Sequence, residues 1–460
     1  WSVDGYVTGD LFELPAGTVA AAIGFHYRED EIVDTPGPDT LAGNDWNGEA
    51  AGITAGDDAT TALFAEFDIP LLADLPAVQN LTLNASGRWT DVDSYGDDYT
   101  WKVGINWQII DSLRFRANKG TSFRTPALYE LYLADSTGFI SQRSDPCIQY
   151  EAQFLAGNIS ENNYQNCLAD PANLPPDYGG PSVTPTVFTG GGLGELEAET
   201  SDSFTAGFIW QPSFIELSVA LDYFDFEVND QVSQLGGERI IGLCYESDFG
   251  FAFGGTEPLC GRFDRTGLNL GIDNIRDSFI NVAQQTNKGY DLTVQYDTDI
   301  GPGSLGIYAQ FTKQTEDIQA LFEETAEDFN GRIGEPEWVG ATNVTYYLNN
   351  WSFFWGMHWV GETNSEEQLG GNTALYRGET YRTVWYTDDV FYHNFSASYN
   401  WDNGLRVLVG VANAFDENPP QLSRLPSSQD EYIMVGNSLL TSNYDIFGRR
   451  LFANLTWNFQ

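Results

Sequence analysis

The feature that most constrains this chain is a period of two, kept through segment after segment. From Asn80 to Thr90 the odd positions read Leu81, Leu83, Ala85, Gly87 and Trp89, and the even ones Asn80, Thr82, Asn84, Ser86, Arg88 and Thr90. Successive side chains of a strand point to opposite faces, so this segment has one apolar and one hydrated face. Trp101, Val103, Ile105 and Trp107 repeat the pattern against Lys102, Gly104, Asn106 and Gln108, and Leu113, Phe115 and Ala117 against Arg114, Arg116 and Asn118. It returns at Tyr290–Tyr296, at Leu405–Val411 and at Leu451–Phe459. Trp and Tyr recur at both ends of these apolar faces. A soluble sandwich seldom places them so, whereas a membrane barrel carries aromatic girdles at its two interfaces.

Composition narrows the choice. No stretch approaches the roughly 18 apolar residues needed to span a bilayer as a helix. A membrane protein without such a helix has to be a closed barrel, because lipid satisfies no backbone hydrogen bonds. With 21 basic against 66 acidic residues, the net charge is −45. That balance argues against nucleic acid, whose phosphates are held by Lys and Arg. It fits a solvated acidic surface; the sharper alternative is a cation-binding outer surface, although no loop spells a calcium-loop motif.

The connections carry a second signal. Strands are predicted near 1–8, 16–30, 58–70, 79–93, 97–108, 112–122, 198–211, 214–228, 284–297, 304–315, 338–347, 351–362, 387–399, 405–413 and 447–459. Long gaps at 31–57, 123–197, 229–283, 316–337, 363–386 and 414–446 alternate with short ones, except for a tight hairpin near 94–96. Short turns on one side and long loops on the other are the outer-membrane pattern, with the long loops extracellular. The fold class is therefore all-β, a transmembrane antiparallel β-barrel of about 15 strands. Single-chain bacterial barrels close with even numbers, so this sheet is not expected to close by itself.

Four cysteines fall in two local pairs, Cys147 with Cys167 and Cys244 with Cys260. In a secreted context this is the pattern of loop-closing disulfides, each worth about 3 kcal/mol in the loop-entropy model. Zinc is the weaker alternative, with no C-x-x-C and three histidines. The chain opens at Trp1 without Met or signal peptide, which for a secreted barrel implies that preceding material has been removed.

Four motifs in order resemble the TonB-dependent receptors. Residues 119–131, with Ser122, Phe123, Arg124, Pro126, Glu130 and Leu131, are similar to that family's mid-barrel S-F-R-x-P-x-x-x-E-L signature. The stretch from Gly9 is similar to a periplasmic turn, 411–420 to a V-x-N-L-F-D segment, and 444–451 to the entry of the last strand. One departure is that Gln460 follows Phe459, where the family usually ends on an aromatic. The resemblance implies the C-terminal barrel portion of such a receptor: about 15 of an expected 22 strands around a plug. The plug, the energy-coupling box and about seven strands lie outside this chain.

The partners so implied are those missing N-terminal parts, the TonB complex acting through the plug, and a bilayer with lipopolysaccharide. The implied function is energised uptake of a scarce nutrient, whether iron chelate, vitamin or oligosaccharide. A non-transporting barrel with an adhesive or structural role is the alternative, discriminated by an energy-coupling box. No cofactor, metal site or enzyme activity is expected: His26, His358 and His393 have no nucleophile near them in sequence to make a triad. Arg124 is expected on the inner wall, pairing with plug carboxylates. Aromatics of the two longest loops, Tyr150, Tyr164, Tyr178, Phe188 and Tyr245, are the candidate ligand-binding residues.

Overall fold

The computed structural model describes residues 1–44, 50–180, 184–246, 259–267, 269–281, 284–320, 326–369, 371–376, 379–423 and 438–458. Fifteen strands follow one another through one antiparallel sheet, each bonded to the next in chain order. They are β1 (Ser2–Leu14), β2 (Gly17–Asp34), β3 (Thr54–Leu75), β4 (Val78–Val92), β5 (Gly96–Ile110), β6 (Leu113–Arg124), β7 (Glu199–Trp210) and β8 (Glu216–Asn229). The series continues with β9 (Gln284–Ile300), β10 (Gly303–Ala320), β11 (Trp338–Leu348), β12 (Trp351–Val360), β13 (Val390–Asn400), β14 (Leu405–Ala412) and β15 (Arg450–Trp457). A two-residue strand, Glu327–Asp328, adds to β10. Among the described residues β1 pairs only with β2 and β15 only with β14, which leaves both ends of the sheet open.

Register explains why these residues share one sheet. In β4 to β6, Leu83 lies opposite Ile105, and Ile105 opposite Ala117. Phe115 then meets Phe208, Phe208 meets Leu221, and Leu221 meets Leu292. At the far side Tyr399 meets Val407, and Val407 meets Leu455. Each pairing puts apolar against apolar. A slip of one residue anywhere would turn a whole strand's apolar set onto the polar face. The convex face stays bare: Ile23, Leu63, Val103, Ile105, Phe208, Leu221, Phe391, Val409 and Leu455 are all exposed. A contiguous apolar surface of that extent belongs against lipid. The concave face carries the other parity, with Glu66, Asp68, Asn84, Ser86, Lys102, Gly104 and Asn118 lining one hollow.

Connections on one side are short: residues 15–16, 76–77, 111–112, 211–215, 301–302, 349–350 and 401–404. Asn349, at φ 53°, takes the left-handed conformation that a tight hairpin demands. On the other side they run 35–53, 125–198, 230–283, 321–337, 361–389 and 413–449, with 93–95 the tight exception. Several strands are longer than their periodicity indicates. β3 begins at Thr54 and ends at Leu75, and β10 reaches Ala320. In β3 a register shift between Pro70 and Leu72 breaks the alternation, while the hydrogen-bond ladder continues past it to Leu75. Phe459 and Gln460 lie outside the described residues.

This facing has a measurable consequence. Ile105→Arg places a charge on the lipid face and should cost about 2–4 kcal/mol near the midplane. Asn106→Arg, one residue on, should be nearly neutral. Urea unfolding of the reconstituted protein compares the two, and a harmless Ile105→Arg with a damaging Asn106→Arg would reverse the assignment.

Candidate functional site

The lumen wall is built from the polar parity of each strand. Every arginine on a barrel strand falls on it: Arg28, Arg88, Arg114, Arg116, Arg124, Arg406 and Arg450. Arg116 grips Asp222 through Nε to Oδ1 at 2.9 Å and Nη2 to Oδ2 at 2.7 Å. Gly207 stands between them in the register, and any Cβ there would strike the Asp222 carboxylate. His26 and Arg28 line a hollow of about 790 Å³ together with Asp58, Arg88, Thr90, Arg124 and Pro126. His358 faces the lumen opposite Tyr392, whereas His393 points outward and accepts a hydrogen bond from Trp355 Nε1 at 3.2 Å. None of the three has a nucleophile beside it among the described hydrogen bonds.

The Ser-Phe-Arg-Thr-Pro segment closes a clamp at the outer end of this wall. Arg124 donates through Nη1 and Nη2 to Glu130, at 2.9 and 3.1 Å, and through Nε and Nη2 to Glu199, at 2.8 and 2.5 Å. Glu130 also accepts from the Ala127 amide at 2.6 Å, and Glu199 from the Val232 amide at 2.8 Å. Pro126 is buried, and cannot continue the ladder because it lacks an N–H. The chain therefore leaves β6 and enters the short helix Leu128–Tyr132, whose Leu131 is buried. Ser122 shares a hydroxyl hydrogen bond of 2.7 Å with Ser201, and the Phe123 ring lies 6.3 Å from that of Tyr95. Among the described residues Arg124 finds two carboxylate partners within this chain, Glu130 and Glu199, while its side chain stays 45% exposed, and a pairing with a plug concerns parts outside these residues. The signature is a structural clamp joining β6, β7 and both long loops.

Those two loops, 125–198 and 230–283, fold into one unit. Its core contains both cysteine pairs with Tyr150, Tyr178, Val187, Ile240, Ile241, Tyr245, Phe263, Ile272 and Ile275. Helix Glu161–Ala169 starts at Ser160, whose hydroxyl accepts the Asn163 amide at 3.1 Å. Helix Gly237–Glu246 buries Ile240, Ile241, Cys244 and Tyr245, which its period places on one face. Cys147 is bonded to Cys167 and Cys244 to Cys260, so both disulfides join the cysteines as their spacing indicates.

At the centre lies an ion cluster that sequence patterning does not reveal. Arg265, with a side chain 4% exposed, meets Asp145 at 2.7 Å and Asp170 at 2.6 Å. Tyr245 donates to Asp170 at 2.5 Å, Tyr178 donates to the Leu270 carbonyl at 3.2 Å, and both rings lie 5.4 Å from the guanidinium. Burial works against the charge of Arg265, but its hydrogen bonds to Asp145 and the nearby carboxylates more than offset this and hold it protonated. Burial pushes the Tyr245 and Tyr178 hydroxyls far above the ordinary tyrosine range, so both stay neutral donors.

The five loop aromatics consequently divide. Tyr150, Tyr178 and Tyr245 are buried and offer no face to a ligand, which corrects the expectation for these three: their rings fill the core of the loop unit. Tyr164 and Phe188 are half-buried. Tyr164 stacks on Phe154 at 4.5 Å.

Two substitutions test these assignments. Arg265→Met leaves two carboxylates buried and unpaired, and should cost the loop unit about 3–5 kcal/mol. Hydrogen exchange should then rise across 140–180 and 237–276 while the barrel amides stay protected; unchanged exchange would refute the clamp. Arg124→Met breaks a half-exposed cluster and should cost about 1–3 kcal/mol. Its exchange increase should be confined to 125–133 and 197–202, without loss of assembly.

Known proteins fit this geometry. The family described as TonB dependent receptor-like, beta-barrel matches residues 1–414. A 65-residue stretch is 34% identical to the vitamin B12 transporter BtuB of Photobacterium profundum, covering 14% of this chain and 11% of that protein. Among solved structures, a ferric enterobactin receptor of Pseudomonas aeruginosa superposes with a TM-score of 0.59 at 16% identity. The siderophore receptor PirA of Acinetobacter baumannii superposes with 0.58 at 13%. Each match covers 99% of this chain but 54% of the other, so the chain spans about half the length of these receptors. Carrying the barrel sequence, the continuous antiparallel sheet and the lipid-facing parity together, the chain belongs to the TonB-dependent receptors of the outer membrane.

Proposed function

We propose that this chain forms most of the wall of an energised uptake receptor. The observation that supports the reading is the width of its polar lumen. About eight strands make a barrel that side chains can fill, while about 22 enclose a lumen that needs a plug. Fifteen strands that still leave both edges open bound a wall far too wide to fill itself. Arg88, Lys102 and Arg114 face that lumen without an ion pair among the described residues, so acceptors on a plug suit them. In this reading the plug and about seven further strands complete the ladder against β1 and β15. The TonB system supplies the energy, and the cargo is an iron chelate, a vitamin or an oligosaccharide.

Two measurements test this. Intact mass and peptide mapping of the complex taken from its membrane should find plug and strand material beyond these 460 residues. A homogeneous 51.0 kDa species forming a closed barrel would refute the reading. Cells carrying the complete receptor should accumulate one of a labelled ferric catecholate, cyanocobalamin or a maltooligosaccharide, and a protonophore should abolish that accumulation. Accumulation that ignores the protonophore would refute energised uptake, and accumulation of none of these classes would favour a non-transporting surface barrel.

A further inference from the structure

Charge is divided unevenly around the lumen wall. On β3 to β6 the polar parity carries Glu66, Asp68, Arg88, Lys102, Arg114 and Arg116. By contrast β11 to β15 carry no carboxylate, in a chain with 66 acidic residues. Histidines apart, their only charged side chains are Arg406 at the turn side and Arg450 at the loop end, where Asp445 meets it at 2.9 Å. The band between is amide, hydroxyl and aromatic. One rung runs from Tyr308 on β10 through Asn343 and Gly356 to Asn394. The next rung toward the turns runs Thr345, Phe354, Ser396, Gly410 and Phe452.

We propose that β11 to β15 form the cargo-facing side of the lumen, and that the cargo is an uncharged oligosaccharide. The proposal rests on the reading of this chain as the wall of an uptake receptor. A sugar hydroxyl both donates and accepts hydrogen bonds, and so do the amide and hydroxyl groups of this band. Asn343 is exposed and Ser396 half-buried, and neither side chain has a hydrogen-bond partner among the described residues. The two phenylalanines supply apolar surface. A Cβ on Gly410 would strike the Phe452 ring, and one on Gly356 would come within 2.8 Å of Phe354. Because both glycines lack it, each ring lies along the wall instead of projecting, and can pack against the C–H face of a pyranose. Along their rung the rings are three strand spacings apart, about 14 Å. One sugar unit does not bridge that distance, whereas a chain of several does.

Electrostatics separates this cargo from the other classes. The lining of a passage selects by the hydrogen-bonding groups and charges it presents. An anionic ferric chelate calls for cations, and between Arg406 and Arg450 this band offers none. A cationic cargo calls for carboxylates, which are absent here although the chain carries a net charge of −45. The charged strands β3 to β6 provide an internal control. There Phe64 covers Gly24 in the same way, but Arg88 stands 5.9 Å over its ring.

The test uses cells carrying the complete receptor, with and without a protonophore, and normalises uptake to folded receptor in the membrane. The probes are labelled maltohexaose, cellohexaose and laminarihexaose, with a labelled ferric catecholate as the competing class. At least one hexasaccharide should accumulate. Phe354→Leu and Phe452→Leu should each weaken the apparent affinity for it about 10-fold, whereas Phe354→Tyr should retain it. Phe64→Leu, which uncovers a glycine on the charged side, should leave sugar uptake unchanged. Asn343→Asp should alter it less than about 3-fold, since a carboxylate repels no neutral sugar. Equal losses for Phe64→Leu and Phe354→Leu, or uptake of no hexasaccharide, would overturn the proposal. Accumulation of the ferric catecholate alone would overturn it while leaving the uptake reading intact. Hexasaccharide accumulation that ignores the protonophore would instead overturn energised uptake and leave the cargo assignment standing. If the leucine variants fail to assemble, Phe354→Tyr, Asn343→Asp and the choice of probe still decide it.

Discussion

Everything in this molecule follows from the fact that hydrocarbon offers no partner to a backbone N–H or C=O. An unsatisfied amide costs several kcal/mol there, so each strand must find its neighbour through the full depth of the bilayer. The result is a ladder that runs unbroken from β1 to β15. Once that ladder is obligatory, side-chain parity is fixed with it. Lipid on one face and water on the other then select alternate residues independently, and the sequence records both selections.

The two faces solve opposite electrostatic problems. On the lumen side, planar guanidinium groups make bidentate contacts to carboxylates, as Arg116 does with Asp222 and Arg124 with Glu130 and Glu199. Arginine fits such fork geometry better than lysine. These contacts are half-exposed and individually worth little, so their value lies in fixing where loops leave the wall. On the outward parity the described strands keep no arginine, and Lys119, Lys288 and Lys313 lie toward the strand ends that lead into the long loops.

What was legible in the sequence is what has short range. Strand order, facing, turn side and both disulfide pairs are all encoded within about 20 residues of chain, and each reads correctly from period or spacing. Strand ends are less legible, because the ladder of β3 continues past a register shift between Pro70 and Leu72 that interrupts the period, and β10 runs on to Ala320 through Glu316 and Asp317. The loop unit is the least legible. Arg265 is 120 residues from Asp145 and 95 from Asp170, and nothing in the local pattern around any of them distinguishes a buried ion from a solvated one. Tyr150, Tyr178 and Tyr245 misled for the same reason: an aromatic in a long polar loop looks available until its partner loop is in place.

The loop unit also shows why two loops had to fold together. Neither 125–198 nor 230–283 is long enough to enclose a generous core, since chains of that size bury too small a fraction of their surface. Pooling them creates one core, and each disulfide then shortens the chain that must be ordered. Arg265 completes the union from one loop by seizing carboxylates next to both ends of the other loop's disulfide, Asp145 two residues before Cys147 and Asp170 three after Cys167. A hydrophobic replacement could pack as tightly, but it could not pair with two charges that only this register brings together. The buried ions therefore favour the one loop conformation that pairs them, and the disulfides shorten the chain that must be ordered around them.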